Sequence, residues 1–387
     1  MTRIGLYTIV TPNAHTGVGR QLFGLLEGLQ QLDTPHEYIL YHDRDHPLPP
    51  LPPQFRPFPL PVRSLSRRQN HFFQAFALPR LAARHSLDVL HILNTTPLLF
   101  PYYPTVVTLY DLTEFALPQR VYETGRHHYR RLSNWLAARR SQAIITTSAS
   151  TRQDIGHYLG VAMAKVQVVY PGLDHARFRP LDLSARQREE IARTYNLPPR
   201  FLLSVGKIQP RKNLARVLQA FREVRRTDSD VHLVLVGSRG WMNEAVDALM
   251  AEPDIAAAVH FTGFVPDEVL PALYNLAEII LFPSLYEGFG FPVLEGMACG
   301  VPVITSRTSS LGEIAGDAAL CVDPLSVEEI AAAIQTLLHD PTLAYSLRQK
   351  GLAHAQPFTW HRCARETITC YERVSHAAAP DYPPHVS

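Results

Sequence analysis

A chain of 387 residues is long for one domain and comfortable for two, because cores rarely grow past about 250 to 300 residues before a chain splits. With 46% hydrophobic and 19% charged residues it has the apolar material for packed cores, which excludes bulk disorder. A formal charge of +2 excludes nucleic acid as a partner of the molecule as a whole, and no apolar run approaches the roughly 18 to 20 residues of a membrane span.

The predicted elements alternate from the start. Strand-like runs at 3–10, 37–42, 88–93, 105–110 and 142–148, with a helix over 18–32, form the βαβ pattern of a parallel sheet. Between the second and third strands, the stretch 46–63 holds eight prolines in 18 residues. It cannot be helix and is expected to be an extended or irregular excursion from the sheet. A second series of strands, at 201–206, 231–237, 259–265, 278–284 and 301–305, restarts the pattern and predicts a second doubly wound domain. The final expected helix covers 358–374. The domains expected are 1–175, 176–357, a terminal helix 358–376 returning to the first domain, and a fraying tail 377–387. Cys299, Cys321, Cys363 and Cys370 form no CxxC pair and no leader pattern opens the chain, so a reducing cytoplasm is expected.

In doubly wound sheets ligands bind at the carboxyl ends of strands. The loop after 278–284 reads Glu287-Gly288-Phe289-Gly290-Phe291-Pro292, then Glu295 about one turn into a helix. Glycines allow close backbone approach, and the N–H groups at a helix start favour a phosphate. Two carboxylates beside an anion demand nearby cations. Lys207, Arg211 and Lys212, in "SVGKIQPRKNL" after the strand 201–206, meet that demand.

These segments, a basic "G-K/R…K-N" loop and "E-G-F-G-x-P-x-L-E-x-M-A-x-G-x-P-V", resemble the retaining glycosyltransferases of family 4. The resemblance spans essentially the whole chain and is strongest from 201 to 325. It implies the α/β GT-B fold, two doubly wound Rossmann-like domains facing each other across a cleft. It further implies that Lys207 and Lys212, with Arg211, hold the donor diphosphate. Glu287 and the backbone of Gly288, Phe289, Gly290 and Phe291 would meet the donor sugar, Glu295 the ribose hydroxyls, and the segment 262–266 around Val265 the base. In the first domain, Gly17 would approach the donor phosphate, with Gly19 beside it; a plain tight turn is the alternative for this lone Gly-x-Gly. Asp111 is a catalytic candidate on the acceptor side, or a turn residue. Tyr110 stands where related sequences often carry histidine.

The expected function is therefore transfer of a hexosyl unit from a GDP- or UDP-linked sugar, GDP-mannose among them, to a hydroxyl of a glycan or lipid-linked glycan. No metal or other cofactor is expected to be required. A sugar-nucleotide epimerase and a non-catalytic nucleotide-sugar-binding subunit are the alternatives. The D-x-D of "HDRDH" (42–46) is a metal pattern elsewhere but also ordinary turn chemistry. The stretch 126–140 holds five arginines and no acid. With 63–76 it suggests either a solvated face or peripheral contact with an anionic membrane.

Overall fold

The computed structural model describes residues 2–8, 16–44, 51–60, 73, 77–93, 103–117, 124–238, 240 and 244–377. Residues 9–10 of the first expected strand, Asp45 and His46, nearly all of 63–76 and the tail from 378 lie outside them. The chain divides into two compact units, Met1–Gly172 with Phe358–Ser387, and Leu173–Pro357.

The first unit is built on a seven-stranded sheet of order β3-β2-β1-β4-β5-β6-β7, every pair parallel. Its strands are β1 (Arg3–Tyr7), β2 (Glu37–Asp43), β3 (Phe55–Leu60), β4 (Val89–Ile92), β5 (Thr105–Leu109), β6 (Ala143–Thr146) and β7 (Val166–Val168). β1, β4, β5 and β6 are almost wholly buried, as expected of strands covered on both faces. Helices include α1 (Gly17–Gln30) and α2 (Thr124–Arg140).

β3 corrects the reading of the proline-rich stretch as an excursion: it is an edge strand of the sheet. The Gln54 carbonyl accepts from Tyr38 N–H at 2.9 Å, so by the two-residue period positions 56, 58 and 60 face β2. Pro57 and Pro59 face outward, where a missing N–H costs no ladder bond. β7 was also not anticipated, since three residues, Val166–Val168, carry too little periodicity to distinguish a strand from a loop.

The terminal helix, Trp360–Ala377, packs on α1 in the first unit. A Cβ on Gly28 would lie 2.2 Å from the Trp360 carbonyl oxygen, and one on Gly24 2.1 Å from the Trp360 ring, so the close approach requires glycine at both positions. Beneath it, His91 on β4 lies with Nδ1 2.6 Å from the Tyr371 hydroxyl and Nε2 2.8 Å from Thr108 Oγ1. Burial pushes the His91 imidazole down to about 3. A neutral ring with both nitrogens paired is a stable core element.

The second unit holds a six-stranded sheet of order β10-β9-β8-β11-β12-β13, again all parallel. Its strands are β8 (Phe201–Val205), β9 (His232–Val236), β10 (Val259–Gly263), β11 (Ile279–Phe282), β12 (Val303–Ser306) and β13 (Leu320–Val322). β13 adds a strand beyond the five expected in this series, and its three residues are too short for periodicity to show. The helices that position the site are α3 (Leu214–Val224), α4 (Phe291–Ala298) and α5 (Ser309–Ala315). α3 turns Leu214, Val217, Leu218, Phe221 and Val224 inward, the spacing of an amphipathic helix on a sheet. Both units therefore have the doubly wound α/β architecture.

Candidate functional site

A doubly wound sheet binds ligands where its strand order reverses. In the second sheet the reversal lies between β8 and β11, paired with Leu202 beside Ile279. The loops leaving these strands are the two that carry the expected cations and carboxylate.

After β8 the chain makes a 3₁₀ turn, Pro210–Lys212, and enters α3 through Asn213, whose φ is 62°. Asn213 is buried and donates both N–H groups of its amide, to the Pro283 carbonyl at 3.0 Å and to the Pro324 carbonyl at 2.6 Å. The Leu285 N–H donates to the Arg211 carbonyl at 2.8 Å. The bonds to Pro283 and from Leu285 lock the basic loop onto the loop after β11, and the bond to Pro324 ties it to the segment after β13.

Arg211 and Lys212 both reach the Glu287 carboxylate, Arg211 at Oε2 and Lys212 at Oε1, the latter at 2.7 Å. Lys212 Nζ also lies 4.3 Å from the centre of the Phe282 ring, a favourable cation–π arrangement. Glu287 is 8% exposed. Burial raises its carboxyl pKa, but the Arg211 and Lys212 charges outweigh burial and bring it down to about 2. Lys207 is exposed and lines, with Gly206, Lys212, Leu235, Phe261 and Phe282, a pocket at the mouth of these loops.

The Glu287 N–H donates to Ser309 Oγ at 3.2 Å, and Ser310 Oγ lies 2.8 Å from the carbonyl oxygens of Glu287 and Phe289. The two serines thus fix the turn from the side of α5. Gly288 and Phe289 are buried in it, and Gly290 ends it with φ of 124° and no room for a side chain, a Cβ there lying 2.6 Å from Leu311 Cδ2. α4 then starts at Phe291 with Pro292 in its first turn and no side-chain cap, leaving a helix start suited to an anion. Phe289 and Phe291 meet edge to face at 5.1 Å.

Glu295 lies in α4, 1% exposed, and accepts from the Tyr274 hydroxyl at 2.6 Å. Val265 is buried in the loop after β10, beside the exposed Phe264. Asn213, Tyr274, Ser309 and Ser310 were not singled out from the sequence. Only the "K-N" of the basic loop hinted at one of them; the others act across 20 residues or more.

The first unit treats its candidates differently. Gly17 is exposed at the first position of α1, whereas the Gly19 N–H donates to the Thr16 cap at 3.0 Å. Asp111 Oδ1 accepts from the Thr113 N–H at 3.0 Å and from the Thr113 hydroxyl at 2.8 Å, opening the short helix Thr113–Ala116. The Tyr110 hydroxyl donates to the Leu93 carbonyl at 2.7 Å, and burial raises its pKa. In the D-x-D stretch, Asp43 ends β2 and is buried, its carbonyl 2.9 Å from His42 Nδ1. Among the described residues no group of three or more His, Cys, Asp or Glu could hold a metal ion.

Two family models match: Glycosyltransferase Family 4 over residues 15–177 and Glycosyl transferases group 1 over residues 187–354. The chain is 40% identical over 173 residues to the O-antigen chain mannosyltransferase B of Escherichia coli, across 44% of this chain and 45% of that protein. It is 31% identical over 242 residues to the MMP alpha-(1->4)-mannosyltransferase of Mycolicibacterium hassiacum, across 61% of this chain and 55% of that one. The matches thus span about half the length of these curated relatives. The fold is that of sucrose-phosphate synthase from Thermosynechococcus elongatus, with a TM-score of 0.78 at 21% identity over 98% of this chain and all of that one. With the two models together accounting for most of the sequence, and the GT-B arrangement of strands in each unit, the chain belongs to the family 4 glycosyltransferases.

Proposed function

We propose that the protein is a retaining hexosyltransferase that takes its sugar from a nucleoside-diphosphate donor and passes it to a hydroxyl of a glycan or lipid-linked glycan. The observation that carries this reading is the convergence of Arg211 and Lys212 on Glu287 at the ends of β8 and β11, beside the uncapped start of α4. In this reading Lys207, Arg211 and Lys212 neutralise the diphosphate, while Glu287 and the turn 288–291 face the sugar. Glu295 would take the ribose hydroxyls. GDP-mannose is favoured among GDP- and UDP-sugars because two of the relatives are named as mannosyltransferases.

The chemistry that fits these residues is same-face substitution. The bond from the anomeric carbon to the phosphate oxygen breaks, the acceptor oxygen bonds to that carbon on the same face, and a phosphate oxygen takes the acceptor proton. Three protein cations and helix N–H groups can stabilise the departing diphosphate without a metal, each such group being worth on the order of 3 kcal/mol. Asp111 is proposed on the acceptor side, at the end of β5.

A peripheral position at the inner face of a membrane is part of the proposal. On α2, Tyr129, Leu132 and Trp135 are exposed at three-residue spacing, so they share one face, and Arg139 lies over the Trp135 ring at 5.0 Å. Arginines around exposed aromatic and leucine side chains suit an anionic interface. Salt-sensitive flotation with anionic vesicles is expected; none would remove this part. Among the described residues no helix is long and apolar enough to cross a membrane.

The test of the main reading is turnover of GDP-mannose, UDP-glucose and other donors with a panel of glycan acceptors, the product's anomeric configuration being read by NMR. Retained configuration is expected. An inverted product would end the mechanism. Donor conversion without acceptor would favour an epimerase, and donor binding without turnover a non-catalytic subunit.

A further inference from the structure

The two cations that the proposed reading gives to the donor diphosphate are held by a protein carboxylate. Arg211 and Lys212 occupy opposite oxygens of Glu287. An arriving diphosphate must draw them away from that carboxylate or share them with it, in a place where water screens charge poorly. We infer that Glu287 is a product-release residue: it competes with the diphosphate for Arg211 and Lys212 and takes both cations back as the nucleoside diphosphate leaves. This rests on the donor-site reading above.

The chemistry of the reaction creates the need for such a competitor. Transfer of the sugar leaves a terminal phosphate on the nucleotide, with a second ionisation at about pH 6. The product therefore carries more negative charge than the donor did. Two unopposed cations would bind product more tightly than donor, and release would limit turnover. A fixed carboxylate in contact with both cations lowers the affinity for any anion there, and lowers it most for the most charged one.

The turn keeps Glu287 in place whether or not the cations are on it. Its N–H is held by Ser309 and its carbonyl by Ser310. The Arg211 carbonyl is separately fixed by Leu285, so the side chains can swing while both loops stay. With its carboxyl brought down to about 2 by the cations against the effect of burial, Glu287 does not surrender them by protonation at physiological pH.

The test is calorimetric titration of GDP, UDP and ADP into the wild type and Glu287→Gln, followed by titration of the corresponding sugar nucleotide. Glu287→Gln is expected to bind the accepted nucleoside diphosphate roughly tenfold more tightly, with a smaller gain for the sugar nucleotide. Equal or weaker binding of the diphosphate by the variant overturns the inference and leaves the donor site standing. A wild type that binds none of the three overturns the donor-site reading and the inference with it. Glu287→Gln removes the carboxylate from two partly buried cations and could fail to fold. In that case Glu287→Asp, one methylene too short to hold both cations, is expected to show the same gain at smaller size, and an unchanged or weaker affinity overturns the inference.

Discussion

One buried ionisable group in each unit, His91 in the first and Glu287 in the second, shows two opposite ways of holding such a group. His91, in the first sheet, is neutral, sealed, and satisfied on both nitrogens by Tyr371 and Thr108. Glu287, in the second, is charged and held by two cations that retain partial access to solvent, with side-chain exposures of 21% for Arg211 and 18% for Lys212. A neutral buried pair can be read as architecture, since it specifies how the terminal helix sits on β4 and β5. Opposite charges gathered at strand ends are a costly way to build a fold, and partners that could be exchanged for a ligand are what an anion site needs. The same contrast runs through the loops: in the first unit Thr16, Tyr110 and Asp111 spend their polar groups on neighbouring backbone, and in the second the basic loop presents its charges to another loop.

The contrast is broken most directly at Lys212. Lys212→Ala is expected to lower kcat by roughly a hundredfold or more if the ammonium acts on the departing diphosphate. Steady-state kinetics with the accepted donor checks it. Unchanged kcat with raised KM would make Lys212 a binder of ground and transition state alike, and no loss at all would reduce the cluster to a structural ion pair.

His91 sharpens the other side. Its folded pKa of about 3 lies below its ordinary 6.5, so as pH falls from 6.5 towards 3 the unfolded chain takes up a proton that the folded one refuses. Stability present above 6.5 is lost across that window, by about 1.4 kcal/mol per pH unit at most. Urea unfolding at pH 7 and pH 5 should show this slope in the wild type and a flatter one in His91→Asn, which is also expected to be less stable at both. Glu287 has the same sign in a lower window: its carboxyl lies below its ordinary 4.5, so the ion-pair stability present above 4.5 is lost as pH falls from there through about 2. Between pH 5 and 7 the histidine effect should therefore be read without it. Equal slopes in wild type and variant would mean that His91 is not a sealed neutral ring.

Most of this was legible in the sequence where a physical requirement has a short range. The strand-end glycines, the Glu287 to Glu295 spacing and the cluster Lys207, Arg211 and Lys212 are each local, and each lies on the element expected. Proline composition misleads at β3, because a missing N–H matters only where it would point at a neighbouring strand, and Pro57 and Pro59 face away from β2. β7 and β13 are too short for periodicity to register. Asn213, Tyr274, Ser309 and Ser310 were missed because their partners, Pro283, Pro324, Glu295 and the Glu287 turn, lie 21 to 111 positions away. The spent hydrogen bonds of Asp111 and of the Thr16 hydroxyl with the Gly19 N–H are likewise matters of side-chain direction, which spacing alone does not give.

The seating of Trp360 against Gly24 and Gly28 has a practical consequence for genetics. The chain leaves the first unit after Gly172 and re-enters it at Phe358, so the codons just after Pro357 encode a wall of the first unit. A stop codon just after Pro357 should injure the first unit, although that unit is built mainly from residues 1–172, while the uninterrupted stretch Leu173–Pro357 keeps its own sheet whole.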